Sequence, residues 1–143
     1  MKELADTFWQ AFLDEQALRL ARARVDIDGA SDTLFDDAQA AAYDRLHQEF
    51  DTLHGAARAV DCHCMEGLYR CLAGLARALR RAGSPLSAAW REPFLQGVAV
   101  GERCRKRPQC TVDEHCMNAK RLTNTIRQAM QSLPDDAREE DDA

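Results

Sequence analysis

Several things are scarce in this chain, and each scarcity excludes something. Aromatic residues make up only 6% of 143 residues and β-branched residues are few, so strands have little to build on and helix is favoured throughout. No run of eighteen apolar residues occurs, so no transmembrane helix is expected. The N-terminus, Met1-Lys2-Glu3-Leu4-Ala5-Asp6, is charged and amphipathic from its start and lacks the apolar core of a signal peptide. A cytoplasmic location follows as the expectation. Six cysteines in that compartment would be reduced thiols or metal ligands, not disulfides.

Enzyme signatures are also missing. There is no Gly-x-Ser-x-Gly, P-loop, Gly-x-Gly-x-x-Gly, His-Glu-x-x-His or Cys-x-x-Cys-His, and histidine occurs only four times. Catalysis is therefore not expected.

What is present is periodicity. Leu46, Phe50, Leu53, Ala57, Val60, Cys64, Leu68, Cys71, Leu75 and Leu79 fall within one stripe roughly 80° wide at a helical repeat. The phase holds for over thirty residues and stays near 3.6, which argues against a supercoiled zipper. The stretch reads as one long central helix, on the order of 70 Å from Asp32 or Phe35 to Arg81. Gly67 and Gly74, beside Cys64, Cys71 and Ala78, make one shoulder of it small. Since each glycine costs about 1 kcal/mol against alanine in a helix, the shoulder is read as a close contact with another backbone.

Charge is unevenly distributed. Residues 1–69 hold six Lys/Arg against fourteen Asp/Glu, a net of −8. Residues 70–127 hold twelve against four, a net of +8, and the remainder carries −5. The basic middle suits an anionic partner. The plainer reading is that acidic and basic segments face one another.

In chain order, residues 3–25 read as a first helix with two adjacent apolar faces. One is Leu4, Phe8, Ala11, Phe12, Leu18 and Val25, and the other Trp9, Leu13, Ala17 and Leu20. So wide an arc implies deep packing or an oligomer interface. Residues 26–32 are a turn, with Ser31 or Asp32 as cap of the long helix. Gly83 closes that helix, and Ser84-Pro85 starts another, interrupted at Pro93 and ended by Gly101. After a loop over 102–110, Thr111 caps a last helix with Glu114 completing the box. Val112, Cys116, Ala119, Leu122, Ile126, Met130 and Leu133 form its buried stripe, and Pro134 stops it. The fold class expected is all-α: an elongated antiparallel bundle built on the long central helix, with a single helical domain over 1–134 and a disordered acidic tail over 135–143. The first helix would cover one half of the central helix and the later two the other, setting acidic and basic regions toward opposite ends.

Four constellations could carry chemistry. His47, Asp51 and His54 share a helical face that could seat a divalent metal, or simply meet solvent. Cys62-His63-Cys64 resembles a ligand cluster, but on a helix its members diverge, so that Cys64 joins the core while Cys62 and His63 face elsewhere. Cys104, Cys110, His115 and Cys116 could hold zinc in a loop with few apolar residues to shape it. Cys62 or His63 could substitute as a ligand if that loop folds back on the long helix. Arg103, Arg105, Lys106 and Arg107 form a basic cluster able to contact phosphates, with no interleaved aromatics for base reading.

The leading functional expectation is a non-enzymatic cytoplasmic interaction protein, acting as adaptor, chaperone or regulator, that binds another protein or itself as a homo-oligomer or subunit of a complex. One alternative is a small helical subunit that touches nucleic-acid phosphates through residues 70–127. Another is a metal-binding protein or sensor using Cys104, Cys110 and Cys116.

Overall fold

A computed structural model describes residues 2–107 and 113–138. The fold is all-α, with no strand among the described residues. Six helices are described: α1 (Lys2–Gly29), α2 (Asp37–Ala59), α3 (His63–Ala82), α4 (Ala88–Glu102), α5 (Glu114–Met130) and α6 (Asp135–Arg138). None is long and apolar enough to cross a membrane.

The single long central helix is not there. The stretch is a hairpin of two helices, α2 and α3, joined by a turn of three residues. Asp61 takes a left-handed backbone, φ 57°. The Asp61 N–H donates to Arg58 O at 3.1 Å and the Cys62 N–H to Ala57 O at 2.9 Å, the paired bonds of a Schellman ending. Aspartate is among the few residues that enter this region at modest cost. The apolar stripe survives the break because Ala57 and Cys64 are seven residues apart, close to two helical turns. Both helices then face one core from their own sides. Leu46, Phe50, Leu53 and Ala57 of α2 are buried, as are Cys64, Leu68, Cys71, Leu75 and Leu79 of α3.

Polar straps hold the hairpin closed. Arg80 Nε lies 2.9 Å from an Asp44 carboxylate oxygen. An Arg77 guanidinium N–H donates to His47 Nε2 at 2.9 Å, so His47 carries its proton on Nδ1 and donates it to Ala73 O at 3.0 Å. His54 Nδ1 donates to Glu66 O at 3.2 Å. Acidic and basic regions thus lie partly side by side across the hairpin, not at opposite ends.

Successive helices run alternately up and down. Residues of α1 and α2 pair in descending order, Arg19 with Glu49 and Asp26 with Arg45. The same holds for α3 against α4, where Gly97 faces Leu72 and Gly101 faces Tyr69. Phe50 stands at the centre of the core, its ring 6.1 Å from that of Tyr69 and 6.0 Å from that of Phe94.

The close backbone contact expected at Gly67 and Gly74 is at other glycines. A Cβ at Gly67 or Gly74 would meet nothing within 4 Å, whereas one at Gly97 would come within 2.5 Å of Leu72 Cδ1. One at Gly101 would come within 2.7 Å of Leu20 Cδ1 and press on the Tyr69 hydroxyl. The missing side chains of α4 therefore let it lie close against α1 and α3.

Several boundaries move. α1 runs four residues past the expected Val25, to Gly29. Its last carbonyls find a donor in Arg91 of α4, which bonds Ile27 O and, at 3.0 Å each, Ala30 O and Leu86 O. Asp36, not Ser31 or Asp32, caps α2 and accepts from Gln39 N, while Ser31 Oγ accepts from Thr33 N and Leu34 N in the turn before it. Gly83, with φ 64°, ends α3 as expected. Residues 84–87 lie outside the helix, and Ser87 caps α4. Pro93 does not divide α4. It lies within the second turn, where its missing N–H costs one bond to Ala89. Asp113 caps α5, and the expected cap Thr111, with Val112, lies outside the described residues. The single-turn α6 follows Pro134, and its Ala137 is buried. Packed structure thus reaches Arg138 within the stretch expected as a tail, and residues 139–143 lie outside the described residues.

The hairpin turn sets an ordering of variants. Asp61→Gly is expected to match or exceed the wild type in urea denaturation, because glycine enters the left-handed region freely. Asp61→Ala is expected to lose about 1 kcal/mol. A continuous helix would reverse the order. At the two kinds of glycine, Gly74→Ala should gain about 1 kcal/mol from helix propensity. Gly97→Ala should lose stability through overpacking against Leu72. Equal behaviour of these two variants would refute the placement of α4.

Candidate functional site

Two regions remain after the core is accounted for: the outer face of α1, and one end of the bundle where four chain segments meet.

The core line of α1 is Phe12, Gln16, Leu20, Ala23 and Ile27, all buried. It runs between the two faces read from the sequence. Their outer members stay in solvent: Leu4 is 51% exposed, Phe8 56%, Leu18 48% and Val25 72%. With Ala11 these recur at alternating spacings of four and three or of seven, a heptad stripe that another helix can cover. Beside it, Phe8, Ala11, Phe12, Ala56, Ala59 and Val60 line an apolar groove of about 340 Å³ between α1 and the end of α2. Exposed apolar surface in a continuous row marks a contact surface more often than scattered residues do.

At the other region, the α2–α3 turn, the end of α4 and the first turns of α1 converge, with the start of α5 adjoining. The Trp9 indole N–H donates to Arg105 O at 3.2 Å. Arg107 lies 5.6 Å from the Trp9 ring centroid and donates to Ala5 O at 3.2 Å. The basic loop is thereby held on α1. Of the expected cluster, Arg107 is used in this anchoring, while Arg103, Arg105 and Lys106 are exposed. Arg103 also reaches a cleft of about 380 Å³ between α4 and α5, which Arg121, Gln96, Asn118 and Thr125 share over an apolar floor of Val100 and Leu122.

The cysteines divide differently from the sequence reading. Cys104 and Cys116 are buried, and Cys110 lies outside the described residues. Cys62, expected to face away from the core, is buried, as is Cys64. The Cys62 thiol is pushed up to about 12, by Cys104 first and by burial, with Cys64 opposing. Cys71 lies apart from them. Its thiol donates to Thr123 O at 3.8 Å, and burial pushes it up to about 11 against the pull of Arg127. Among the described residues no three or more His, Cys, Asp and Glu side chains are grouped as a metal cage.

His115 sits half-buried at the start of α5, with its Nε2 buried and unpartnered. Burial lowers its pKa, Asp113 opposes that, and Arg103 adds to it. His47 and His54 bond backbone carbonyls of α3 across the hairpin and Asp51 is exposed. His63 is exposed beside Glu66. Below Cys104, the Tyr69 hydroxyl donates to Gln16 Oε1 in the interior. Burial holds Tyr69 well above its ordinary value. No sequence pattern announced this pair, because an isolated glutamine in an amphipathic helix carries no signal.

No protein-family profile, curated protein or solved structure matches the chain. Its function is therefore argued from these surfaces alone.

The buried thiols predict alkaline sensitivity. Cys62 and Cys71 both titrate above their ordinary value of 9.0 when folded. Folding thus favours their protonated forms. The stability this contributes is complete below pH 9 and is lost as pH rises through about 11 for Cys71 and about 12 for Cys62. Urea midpoints measured from pH 8 to 11 should fall steadily above pH 9. At pH 8, iodoacetamide should leave both residues unmodified in the native protein and label them in urea. A flat stability profile or rapid native labelling would contradict their burial.

Proposed function

We propose that the protein is a non-catalytic, cytoplasmic interaction protein, an adaptor, chaperone or regulator, that binds another macromolecule through the outer face of α1. One observation carries this reading: Leu4, Phe8, Leu18 and Val25 are half or more exposed, or nearly so, along one heptad stripe, where helices of monomeric proteins place polar residues. The stripe continues into the groove lined by Phe8, Ala56 and Val60. An amphipathic helix fits this surface best, since apolar residues at a and d positions accept knobs from a facing helix. Such a helix can belong to another protein or to a second copy.

A double variant, Leu18→Glu with Val25→Glu, tests it. Both residues are exposed, so stability should change by no more than about 1 kcal/mol. Self-association in sedimentation velocity, or capture of a co-purifying partner, should be lost. Association unaffected by the double variant would remove α1 as the binding face.

A second reading has its own observation. Arg103 and Arg121 flank the α4–α5 cleft, with Arg105 and Lys106 exposed on the adjoining loop. This arrangement suits nucleic-acid phosphates read without base specificity. Single-stranded and duplex probes should then bind with affinity that falls steeply with salt. Replacing Arg103, Arg105 and Lys106 by alanine should weaken all sequences alike and flatten the salt slope by about one to three counterions. Absence of binding at low salt would remove this reading.

A further inference from the structure

Neither the outer face of α1 nor the α4–α5 cleft uses the polar straps that close the α2–α3 hairpin. Asp44 and His47 of α2 and Arg77, Arg80 and Arg81 of α3 line one recess of about 220 Å³. Three guanidinium groups there meet a single carboxylate. The helix dipole accounts for basic residues in the last turn of α3. It does not account for their convergence with side chains of α2 around one hollow.

The recess is braced from both helices. Arg77 donates to His47 Nε2 at 2.9 Å, and His47 is itself tied to Ala73 O at 3.0 Å. The half-buried Arg77 guanidinium is thereby oriented before any ligand arrives, and a guanidinium carries five N–H donors. Arg80 Nε meets Asp44 Oδ1 at 2.9 Å, with the two side chains 48% and 60% exposed. A pair so open to water contributes little and yields to a stronger anion. Asp44 thus stands where a ligand oxygen would. Of the α3 carbonyls at that end, Leu79 O and Arg80 O are taken up by the N–H groups of Ser84 and Gly83, which reduces their opposition to an anion.

Volume and charge select the ligand. Pockets for drug-sized molecules span roughly 300–1,000 Å³, so this one takes a small group. Guanidinium forks match the oxygens of a phosphate and hold them by paired N–H bonds. A dianion balances the excess of positive charge, where chloride would leave part of it uncompensated. Gly74 adds access. A Cβ there would meet nothing within 4 Å, and helical side chains lean toward the helix N-terminus, so the turn over which Arg77 leans is bare.

We propose that this recess binds the dianionic phosphoryl group of a small molecule, either free phosphate or a phosphate monoester. Arg77 and Arg81 hold its oxygens, and Arg80 exchanges Asp44 for the ligand. No bond in the ligand is made or broken. Because the recess is walled by both helices, occupancy stabilises the closed hairpin.

The test titrates the isotope-labelled full chain at neutral pH and constant ionic strength with sodium phosphate, with glycerol 3-phosphate and, as control, with sodium chloride. The readout is the arginine Nε–H signals in nuclear magnetic resonance. Those of Arg77, Arg80 and Arg81 should shift together and saturate with phosphate but not with chloride. Saturation by free phosphate alone identifies an ion site, and equal saturation by the monoester identifies a site for a phosphorylated small molecule. Arg77→Gln should weaken binding about tenfold, and Asp44→Asn should tighten it about threefold. Arg103→Ala with Arg121→Ala, in the α4–α5 cleft, should leave it unchanged. Circular dichroism establishes that each variant is folded. If Arg77→Gln does not fold, Arg81→Gln takes its place, since Arg81 is exposed. Four results overturn the proposal: phosphate and its monoester no more effective than chloride, affinity unchanged in the folded arginine variant, affinity not raised by Asp44→Asn, or binding lost in the cleft variant.

Discussion

The left-handed backbone at Asp61 is the constraint on which the rest of the arrangement depends. It turns a continuous apolar stripe back on itself and so creates a core between two helices that would otherwise lie end to end. Burial of Leu46, Phe50, Leu53 and Ala57 against Leu68, Leu72 and Leu75 follows from that reversal. So do the straps from His47, His54 and Asp44, which only reach their partners when α2 and α3 are side by side. The turn also places Cys62 at the end of the bundle where α4 finishes.

The outer helices attach to this hairpin by different means. α4 approaches by having no side chains where it needs none, at Gly97 and Gly101. α1 buries a line of apolar residues with Gln16 among them and keeps its C-terminal carbonyls satisfied through Arg91. Because one face of α1 is spent on the core and its apolar arc is wider than that face, the surplus is left outside. The surface proposed for binding is thus a by-product of how α1 packs, made useful by its heptad spacing.

Helix content and most of the core were legible in the sequence, since burial imposes a 3.6-residue rhythm that Leu53, Leu68 and Leu75 all keep. The break between α2 and α3 was not. Periodicity reports which residues are buried, and it is silent on backbone direction when the residues on either side of a turn fall back into phase. Asp61 in place of glycine removed the remaining clue. The roles of the glycines were misassigned for a related reason: whether a missing side chain faces a neighbour or open space depends on tertiary placement, which separates Gly74 from Gly97. In the candidate site, Cys104 was visible as a cysteine of interest, while Cys62 was weighed only as a substitute ligand. That both are buried depends on tertiary placement, and no local spacing encodes it. The basic loop was legible as charge, while the docking of Arg107 on Trp9 was not.

The alternation of helix direction has a kinetic consequence. In an up-and-down order most helix pairs are joined by short connections, as α2 and α3 are by residues 60–62. Contacts that are close in sequence lose little chain entropy on forming, which places such a topology among fast-folding proteins. The pairings of α1 with α4 and of α3 with α5 are exceptions, since Arg91 must find Ile27 and Ala30 across some sixty residues and Cys71 must find Thr123 across some fifty. Such clasps are the natural late events: α1 and α3 can each pack on α2 first, and the last carbonyls of α1 meet Arg91 only when α4 has arrived.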